Sequence, residues 1–379
     1  MDTIWNPSPI SSPKETDYGI TGLCLVGEDL FVGGTFRAIG GQSRSRLAKI
    51  STSGSGEADP LWNPNPDGLP FGIVWDGTSL YAGGQWVNIG GVFRPRLAKL
   101  SAVGTGAIET SWAPAADFNR TGVTALALDG QQLYVGTRNF ASGKTPRVGG
   151  VFRVSTTGNG QVDTTWRPAP GPTDYYVDAI AVTASHVFMG GESTTAAGIR
   201  ALLVKLSSAG AGAIDESWNP AVTGLNDADP TTVTTVRSLL LSGTSLYVGG
   251  RFTTIGGQAR AHFAKLPVNG PALVDARFRA DAELTEDNGA GGAALAQRGT
   301  QVIAGGSFRR INGSVALALA SLDSATGTLG DRYRAQVETR DLSSRLSAKR
   351  TASSSWEVNF SSPAVCHATA WCGFSRTAP

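Results

Sequence analysis

Side chains that commonly carry out catalysis are few and scattered in this chain of 379 residues. Its three histidines, His186, His262 and His367, occupy unrelated places in the sequence, which argues against a shared metal site. No Gly-x-Ser-x-Gly segment precedes a helical pattern, so the sequence does not support a Ser-His-Asp triad. A serine hydrolase is therefore not predicted.

An acidic residue recurs at a fixed distance of three positions before an aromatic residue. A ring of catalytic carboxylates could repeat in this way, but so could a turn. Because the offset is constant, we interpret the acids as turn residues whose carboxylates accept hydrogen bonds from nearby backbone N–H groups. The acids are Asp59, Glu109, Asp163, Asp215 and Asp275, and the recurring lysines that could pair with them are Lys49, Lys99, Lys205 and Lys265.

Polar residues that do not repeat are better candidates for a binding site. Residues 224–230 are an insertion, and insertions in repeat folds form loops on one face, where specificity often resides. With Asp178, these residues would support glycoside chemistry if two carboxylates came about 5–10 Å apart. The candidate ligand-binding residues are Tyr175, Tyr176, Asn226, Asp227, Asp229 and Arg237.

No cofactor and no metal site is predicted, with one alternative left open. Residues 63–68, Asp227 with Asp229, and Glu283 with residues 286–287 are loops whose oxygen atoms could bind Ca²⁺. The first of these contains two prolines and lacks a bidentate glutamate at the distance that a dedicated calcium loop requires.

The residues above must be positioned by a repeated segment that reads Leu-Tyr-Val-Gly-Gly-x-Phe, followed by Ile-Gly-Gly. Its clearest glycine pairs are Gly33–Gly34, Gly83–Gly84 and Gly249–Gly250. A repeat of about 50 residues decides the architecture before any local pattern does. Copies begin at Leu30, Leu80, Leu133, Val187, Leu246 and Val302, so that successive copies are 50 to 59 residues apart.

Each repeat divides into four short segments rich in β-branched and aromatic residues, and none has a long helical period. Four strands per unit of about 50 residues predict an all-β protein, a β-propeller of about six four-stranded blades, with seven as the alternative. We assign residues 1–335 to the propeller. The glycine pairs are expected to lie where another sheet approaches closely. One tryptophan per repeat is expected to pack between blades; these residues are Trp5, Trp62, Trp112, Trp166 and Trp218.

The two ends of the chain differ from the repeats. Residues 336–379 are predicted to be a linker and tail, either packed on the ring or disordered. Cys366 and Cys372 lie six positions apart there and could form a disulfide or remain two thiols, whereas Cys24 is expected in the core. Because the start lacks a signal-peptide pattern and falls within a repeat, we expect an upstream segment in the natural protein.

The formal charge of +2, with no basic or acidic block, argues against nucleic acid as a partner. No apolar run reaches the ~18 residues that a membrane helix needs, so membrane insertion is not predicted. The oligomeric state is left open.

The repeat pattern, completed by Arg-x-x-Ala-Lys-Leu and an acid before aromatic-Asn-Pro, resembles the delta-60 repeats of bacterial β-propeller proteins. It is also similar to the propeller repeats of fungal cortical polarity-marker proteins. The resemblance covers residues 2–335, with Trp62 and its counterparts where the family commonly has Phe. It implies a secreted or surface-attached bacterial protein and carries no catalytic residues.

Two classes of function follow. The first is a non-enzymatic binding, adhesion or assembly module for a protein or glycan, favoured by the repeated motifs and the missing catalytic spacing. The second is a propeller-type polysaccharide lyase or glycosidase with carboxylates at the mouth of the channel. Fold alone does not decide between them.

Overall fold

The chain is a series of short strands. The computed structural model describes residues 5–11, 19–114, 122–138, 150–168, 175–195, 198–224, 234–284 and 292–330. Asn226, Asp227, Asp229, Cys366, Cys372 and the tail 336–379 lie outside these ranges. The described residues contain no helix and form these strands: β1 Ile10–Ser11, β2 Ile20–Val26, β3 Asp29–Gly34, β4 Phe36–Ile39, β5 Gln42–Ser43, β6 Leu47–Ser51, β7 Pro70–Trp75, β8 Ser79–Gly84, β9 Asn88–Ile89, β10 Val92–Phe93, β11 Leu97–Ser101, β12 Gly122–Asp129, β13 Gln132–Arg138, β14 Gly150–Ser155, β15 Tyr175–Val182, β16 His186–Thr195, β17 Gly198–Ser207, β18 Thr235–Ser242, β19 Ser245–Arg251, β20 Thr254–Ile255, β21 Gln258–Ala259, β22 Phe263–Pro267, β23 Ala282–Leu284, β24 Gly292–Arg298, β25 Gln301–Gly306, β26 Phe308–Ile311, β27 Ser314–Val315 and β28 Leu319–Asp323.

Six antiparallel sheets of three strands repeat along the chain. We number them one to six; they are β2-β3-β6, β7-β8-β11, β12-β13-β14, β15-β16-β17, β18-β19-β22 and β24-β25-β28. The strand that carries the repeated glycine segment lies in the middle of each sheet. In sheets one, two, five and six a small hairpin connects the second and third strands. In sheet two its turn is Gly90-Gly91, where φ values of 61° and 73° explain the glycines, since other residues rarely adopt them.

The prediction of four strands per sheet is wrong. The fourth segment joins the third strand through a single residue pair in five of the six described sheets, for example Ile50 with Ala58. The recurring acid ends this pairing, because Asp59 Oδ1 accepts hydrogen bonds from the N–H groups of Leu61 and Trp62 and turns the chain away. The segment then contributes its aromatic side chain to the neighbouring sheet instead of a fourth strand.

Successive sheets pack through their first strands. The packed strand pairs are β2 with β7, β7 with β12, β12 with β15, β15 with β18, and β18 with β24. The first glycine of each pair allows this close approach, because a Cβ atom on Gly83 would clash with the Val123 side chain of sheet three. The second glycine makes room within its own sheet, where a Cβ atom on Gly84 would overlap the Leu69 carbonyl oxygen. An apolar cluster fills each of the five spaces between neighbouring sheets, and Cys24, 1% exposed, lies in the first.

The repeated tryptophans link neighbouring sheets. Trp112 is fully buried, stacks edge-on against Tyr81 with ring centroids 5.3 Å apart, and donates its indole N–H to Ser155 O at 2.9 Å. Trp5, Trp62, Trp166 and Trp218 make the matching hydrogen bonds to the ends of later third strands. Each indole thus satisfies its polar N–H while its ring remains in the core.

Closure of the propeller ring would require the last sheet to pack against the first. Among the described strands, β24 has no packing against β2 comparable to that between successive sheets. The blade count of six, the alternative of seven and the boundary at residue 335 therefore stay predictions. No helix in the described part of the chain is long and apolar enough to cross a membrane.

Candidate functional site

A β-bulge occurs at the same place in the first strand of every sheet. The pairing with the middle strand skips one residue, which lies twelve positions before the first residue of the glycine pair, as Asp178 does before Gly190 and Arg237 before Gly249. A bulge turns the extra side chain away from the regular pleat, and bulges often lie next to binding sites. The skipped residues are Thr21, Phe71, Thr124, Asp178, Arg237 and Ala293.

A second variable position immediately follows the glycine pair at the end of the middle strand. It holds Thr35, Gln85 and Ser307 in sheets one, two and six, but charged residues in the other three. Because the bulge and this position lie at the same end of neighbouring strands, charge is concentrated on sheets three to five. We call this group the charged cluster; it consists of Arg138, Asp178, Glu192, Arg237 and Arg251.

Arg138 holds the cluster together. Its Nη1 donates to both carboxylate oxygens of Asp178, at 3.1 and 3.3 Å, and its Nη2 donates to Glu192 Oε1 at 2.8 Å. The guanidinium also lies 4.7 Å from the centre of the Tyr176 ring, a cation–π contact. Thr235 Oγ1 lies 3.3 Å from Asp178 Oδ2, close enough to donate a further hydrogen bond. One planar cation therefore bridges two carboxylates from the same sheet.

The two neighbouring arginines of the cluster differ in their electrostatic state. Burial alone would lower the pKa of Arg138, but the charges of Asp178 and Glu192 raise it above its ordinary value. The pKa of Arg237 is lowered, mainly by burial and also by the positive charges of Arg138 and Arg251, while the two carboxylates oppose the shift. The two carboxylates thus outweigh burial at Arg138 but not at Arg237.

Exposure separates the cations from the anions. The side chains of Asp178 and Glu192 are 0% and 4% exposed, whereas that of Arg138 is 23% exposed. Arg237 and Arg251 are of intermediate exposure as whole residues, but the Nε and Nη1 atoms of Arg237 are shielded from solvent. A molecule that approaches the cluster from solvent therefore meets the Arg138 guanidinium before it meets the two carboxylates.

With this geometry established, the comparisons with known proteins concern the scaffold. Residues 30–58 are similar to a family described as a domain of unknown function, DUF5122, β-propeller. Comparison with curated protein sequences gives no match.

Solved structures resemble the chain over most of its length at low identity. The extracellular domain of BT4673 from B. thetaiotaomicron has a TM-score of 0.50 at 15% identity, with 91% of this chain and 39% of that one covered. The designed protein Ika8 gives 0.43 at 12%, covering 92% and 98%, and Drosophila Semaphorin 1a, extracellular domains 1-2, gives 0.36 at 12%, covering 69% and 55%. The fold is all-β and propeller-like.

The structure brings three of the residues chosen from the sequence, Tyr176, Asp178 and Arg237, into one place. Tyr175 begins the same strand as Tyr176, and burial raises the pKa of its hydroxyl, with an opposing hydrogen bond to the backbone of Val151. Asn226, Asp227 and Asp229 lie outside the described residues. Ligand binding by any of these residues stays a prediction.

Sequence reasoning missed Arg138, Glu192 and Arg251. They occupy the position that follows the glycine segment, and the sequence analysis considered the repeated glycines but not this variable residue. The signal that could have found them is a comparison of this one position across the repeats, since three of its six residues are charged.

The repeated ionisable residues have structural roles. Lys205 and Lys265 pair with Asp215 and Asp275, at 2.9 and 3.4 Å. These acids also accept hydrogen bonds from the N–H groups two residues ahead, as expected for a turn. Equivalent pairs join Lys49 to Asp59 and Arg153 to Asp163.

The two described histidines, His186 and His262, lie in different repeats, and His262 is close to Arg251 of the charged cluster. His186 hydrogen-bonds Ser185 Oγ at 2.8 Å, and buried His262 lies 3.2 Å from Gly250 O through Nδ1. Within the described ranges, no group of three or more His, Cys, Asp or Glu side chains is arranged to hold a metal ion. The Ca²⁺ alternative at Asp227 and Asp229 falls outside those ranges.

Proposed function

We propose that this chain is a non-enzymatic binding module that recognises a glycan or protein partner at the charged cluster. The observation that carries the proposal is the concentration of charge at two otherwise uncharged repeat positions on sheets three to five. The repeated residues elsewhere are used in turns, cores and inter-sheet hydrogen bonds. The cluster instead breaks the repeat, which supports a role that the scaffold itself does not require.

The state of the carboxylates supports binding over hydrolysis. A glycosidase needs one carboxyl group that holds a proton at the working pH and can reach the leaving oxygen. Asp178 is fully buried and both its oxygens accept hydrogen bonds from Arg138, so they are not directed at a substrate. Glu192 is engaged by the same guanidinium. Neither group is poised to donate a proton to a substrate.

The finer parts of the proposal concern context. We place the module outside the cell, secreted or attached to a bacterial surface, with adhesion or assembly as its role and delta-60 type repeats forming a six-bladed ring over residues 1–335. Support comes from the repeat pattern and from the similarity to BT4673, whose solved part is an extracellular domain. The tail, residues 336–379, is proposed to be a separate segment.

The test is a glycan microarray and soluble-polysaccharide screen with the purified chain, in which reducing-end and unsaturated-product release is assayed alongside. The proposal predicts saturable binding and no product above a protein-free control. Product release would refute the non-enzymatic proposal. If no glycan binds, the glycan form of the proposal is refuted and the partner is a protein.

A second candidate is a carbohydrate-active enzyme, favoured by one observation: two carboxylates from sheet four share a single guanidinium. If product release is seen, Asp178→Asn and Glu192→Gln should each abolish it. Asp215→Asn, a turn acid far along the same repeat, is the matched control and should retain it.

A further inference from the structure

A cleft of about 510 Å³ lies beside the hairpin of sheet two, and we call it the hairpin cleft. Its walls come from three segments: residues 63–65, which follow sheet one, the hairpin turn Gly90–Gly91, and residues 105–108, which follow β11. Backbone hydrogen bonds hold these walls together, because Asn63 N–H donates to Thr105 O at 3.0 Å and Gly90 N–H donates to Pro64 O. Its volume falls within the range of small-molecule sites, about 300–1,000 Å³.

Two asparagine amides that the fold does not use border the hairpin cleft. Asparagines at the same place as Asn63 close their own turn in two other repeats. Asn6 Oδ1 accepts a hydrogen bond from Ser8 N–H at 3.2 Å, and Asn219 makes the matching bond at 3.1 Å. Within the described part of the chain, Asn63 and Asn65 make no hydrogen bond through their side chains. Each amide can therefore both donate to a ligand and accept from it.

Small, uncharged residues keep this cleft open in sheet two. The corresponding positions after sheet one hold Ser55 and Glu57, and the Ser55 hydroxyl donates to Glu57 Oε1 at 2.6 Å. Sheet two has Thr105 and Ala107 there, so both the bulk and the charge of the glutamate are missing. The described residues that line the cleft include no charged side chain, which argues against an ionic ligand because its charge would have no counter-charge.

We infer that the hairpin cleft binds an uncharged saccharide, such as a neutral hexose unit of a glycan. It shares no residue and no strand with the charged cluster, so this site goes beyond the proposed function. Sugar hydroxyls donate and accept hydrogen bonds, as do the two amides and the Thr105 hydroxyl. The apolar CH faces of a sugar ring match the side chains of Pro64, Val92 and Ile108. An uncharged peptide backbone offers only one donor and one acceptor per residue, fewer than the hydroxyls of one sugar ring.

The test is saturation-transfer difference NMR of the full chain with four neutral oligosaccharides: cellotriose, maltotriose, mannotriose and triacetylchitotriose. At least one should bind saturably. Its dissociation constant should be the same at low and high ionic strength, because salt screens contacts between charges and this contact has none.

Three variants assign the binding to the hairpin cleft. Asn63→Ala and Asn65→Gly should each weaken it about 3–10-fold, the effect of losing one or two hydrogen bonds. Glycine suits position 65 because φ there is 45°. Ala107→Trp fills the cleft from an exposed position and should abolish binding. Since all three side chains are exposed, the thermal midpoints of these variants should stay close to that of the wild type.

Asn219→Ala is the matched control. It removes an asparagine at the same place in another repeat, where the amide already closes its own turn, and should bind the saccharide like the wild type. An equal loss of binding in this control would overturn the assignment to the hairpin cleft.

Different results separate this inference from the proposed function. If none of the four saccharides binds, or if binding survives all three cleft variants, the inference is overturned. Survival in those variants together with loss in Arg138→Met would assign the saccharide to the charged cluster and leave the proposed function standing. Cleft-dependent binding of an end-blocked Ala-Pro-Ala-Pro peptide, with no saccharide bound, would overturn the inference in favour of a peptide ligand. Release of shortened oligosaccharides would instead overturn the non-enzymatic function.

Discussion

Arg138 is the side chain whose loss should disturb the charged cluster most. Replacement by Met keeps much of the packing volume and removes the charge that compensates two carboxylates with exposures of 0% and 4%. Removing one partner of a buried ion pair costs about 3–5 kcal/mol, because the remaining charge stays buried without compensation. We expect Arg138→Met to lose free energy of unfolding in this range.

Lys49→Met is the matched control. Lys49 also contacts two carboxylates, Asp29 at 3.0 Å and Asp59 at 3.3 Å, but these are 46% and 27% exposed. Water screens such a pair, so its loss should cost no more than about 1 kcal/mol. The two variants remove the same number of charge contacts and differ mainly in burial.

The assay is urea unfolding followed by tryptophan fluorescence, at pH 7 and at pH 4.5. In Arg138→Met the buried carboxyl groups of Asp178 and Glu192 should bind protons more readily than in the unfolded chain, so its deficit should shrink as the pH falls. Adding Asp178→Asn and Glu192→Gln to Arg138→Met should recover much of the loss at pH 7. A deficit no larger than that of Lys49→Met, or one independent of pH, would refute the account of the cluster as a buried ion network.

Three further predictions concern the scaffold. Trp112→Phe should lose about 1 kcal/mol in urea unfolding, because the partly buried Ser155 carbonyl oxygen loses its 2.9 Å hydrogen bond; an unchanged midpoint would contradict this. Gly83→Ala should lower the thermal midpoint more than Gly104→Ala, since a Cβ at Gly83 would clash with the Val123 side chain, whereas one at Gly104, with φ +63°, meets nothing within 4 Å. Burial lowers the pKa of His262 to about 4, with Arg251 adding to the shift and Gly250 O and Asp281 opposing it, so the unfolded chain takes up the proton first. The free energy of unfolding should hold its full contribution from neutral His262 above about pH 6.5 and lose up to about 3 kcal/mol as the pH falls to 4. His262→Asn should reduce this pH dependence in urea titrations.

The repetitive part of the fold could be predicted because the local sequence of each repeat determines its strands and turns. The Gly-Gly segment predicts a strand that another sheet approaches, and Gly83 lies in the middle strand of sheet two against sheet three, while Gly84 packs within its own sheet. The acid before the aromatic predicts a turn, and Asp59 makes one. These features depend on neighbours within a few residues, which is why pattern and spacing were sufficient.

The number of strands per sheet could not be predicted in the same way. The fourth segment has strand-like composition, but its pairing ends after one residue pair where Asp59 turns the chain and Trp62 enters the next interface. Whether the segment extends the sheet or packs between sheets depends on tertiary packing, which outweighs local propensity.

The candidate site was visible only in part. Tyr176, Asp178 and Arg237 were chosen because they do not repeat, and they meet in the charged cluster. Arg138 and Glu192 were missed because they occupy the position after the glycine segment, and only the packing of sheet three on sheet four brings their side chains within 2.8 Å. The constant spacing between bulge and glycine pair shows where to look in related repeats.

The central claim is that the cluster binds a ligand without chemical conversion, and one measurement tests it most directly. The polysaccharide that binds most tightly on the array is incubated with stoichiometric protein for a day. Bound polymer, reducing ends and unsaturated products are then quantified in the same sample. The account predicts a saturable bound fraction and a polymer of unchanged length. Shortened or unsaturated product that disappears with Asp178→Asn would contradict it.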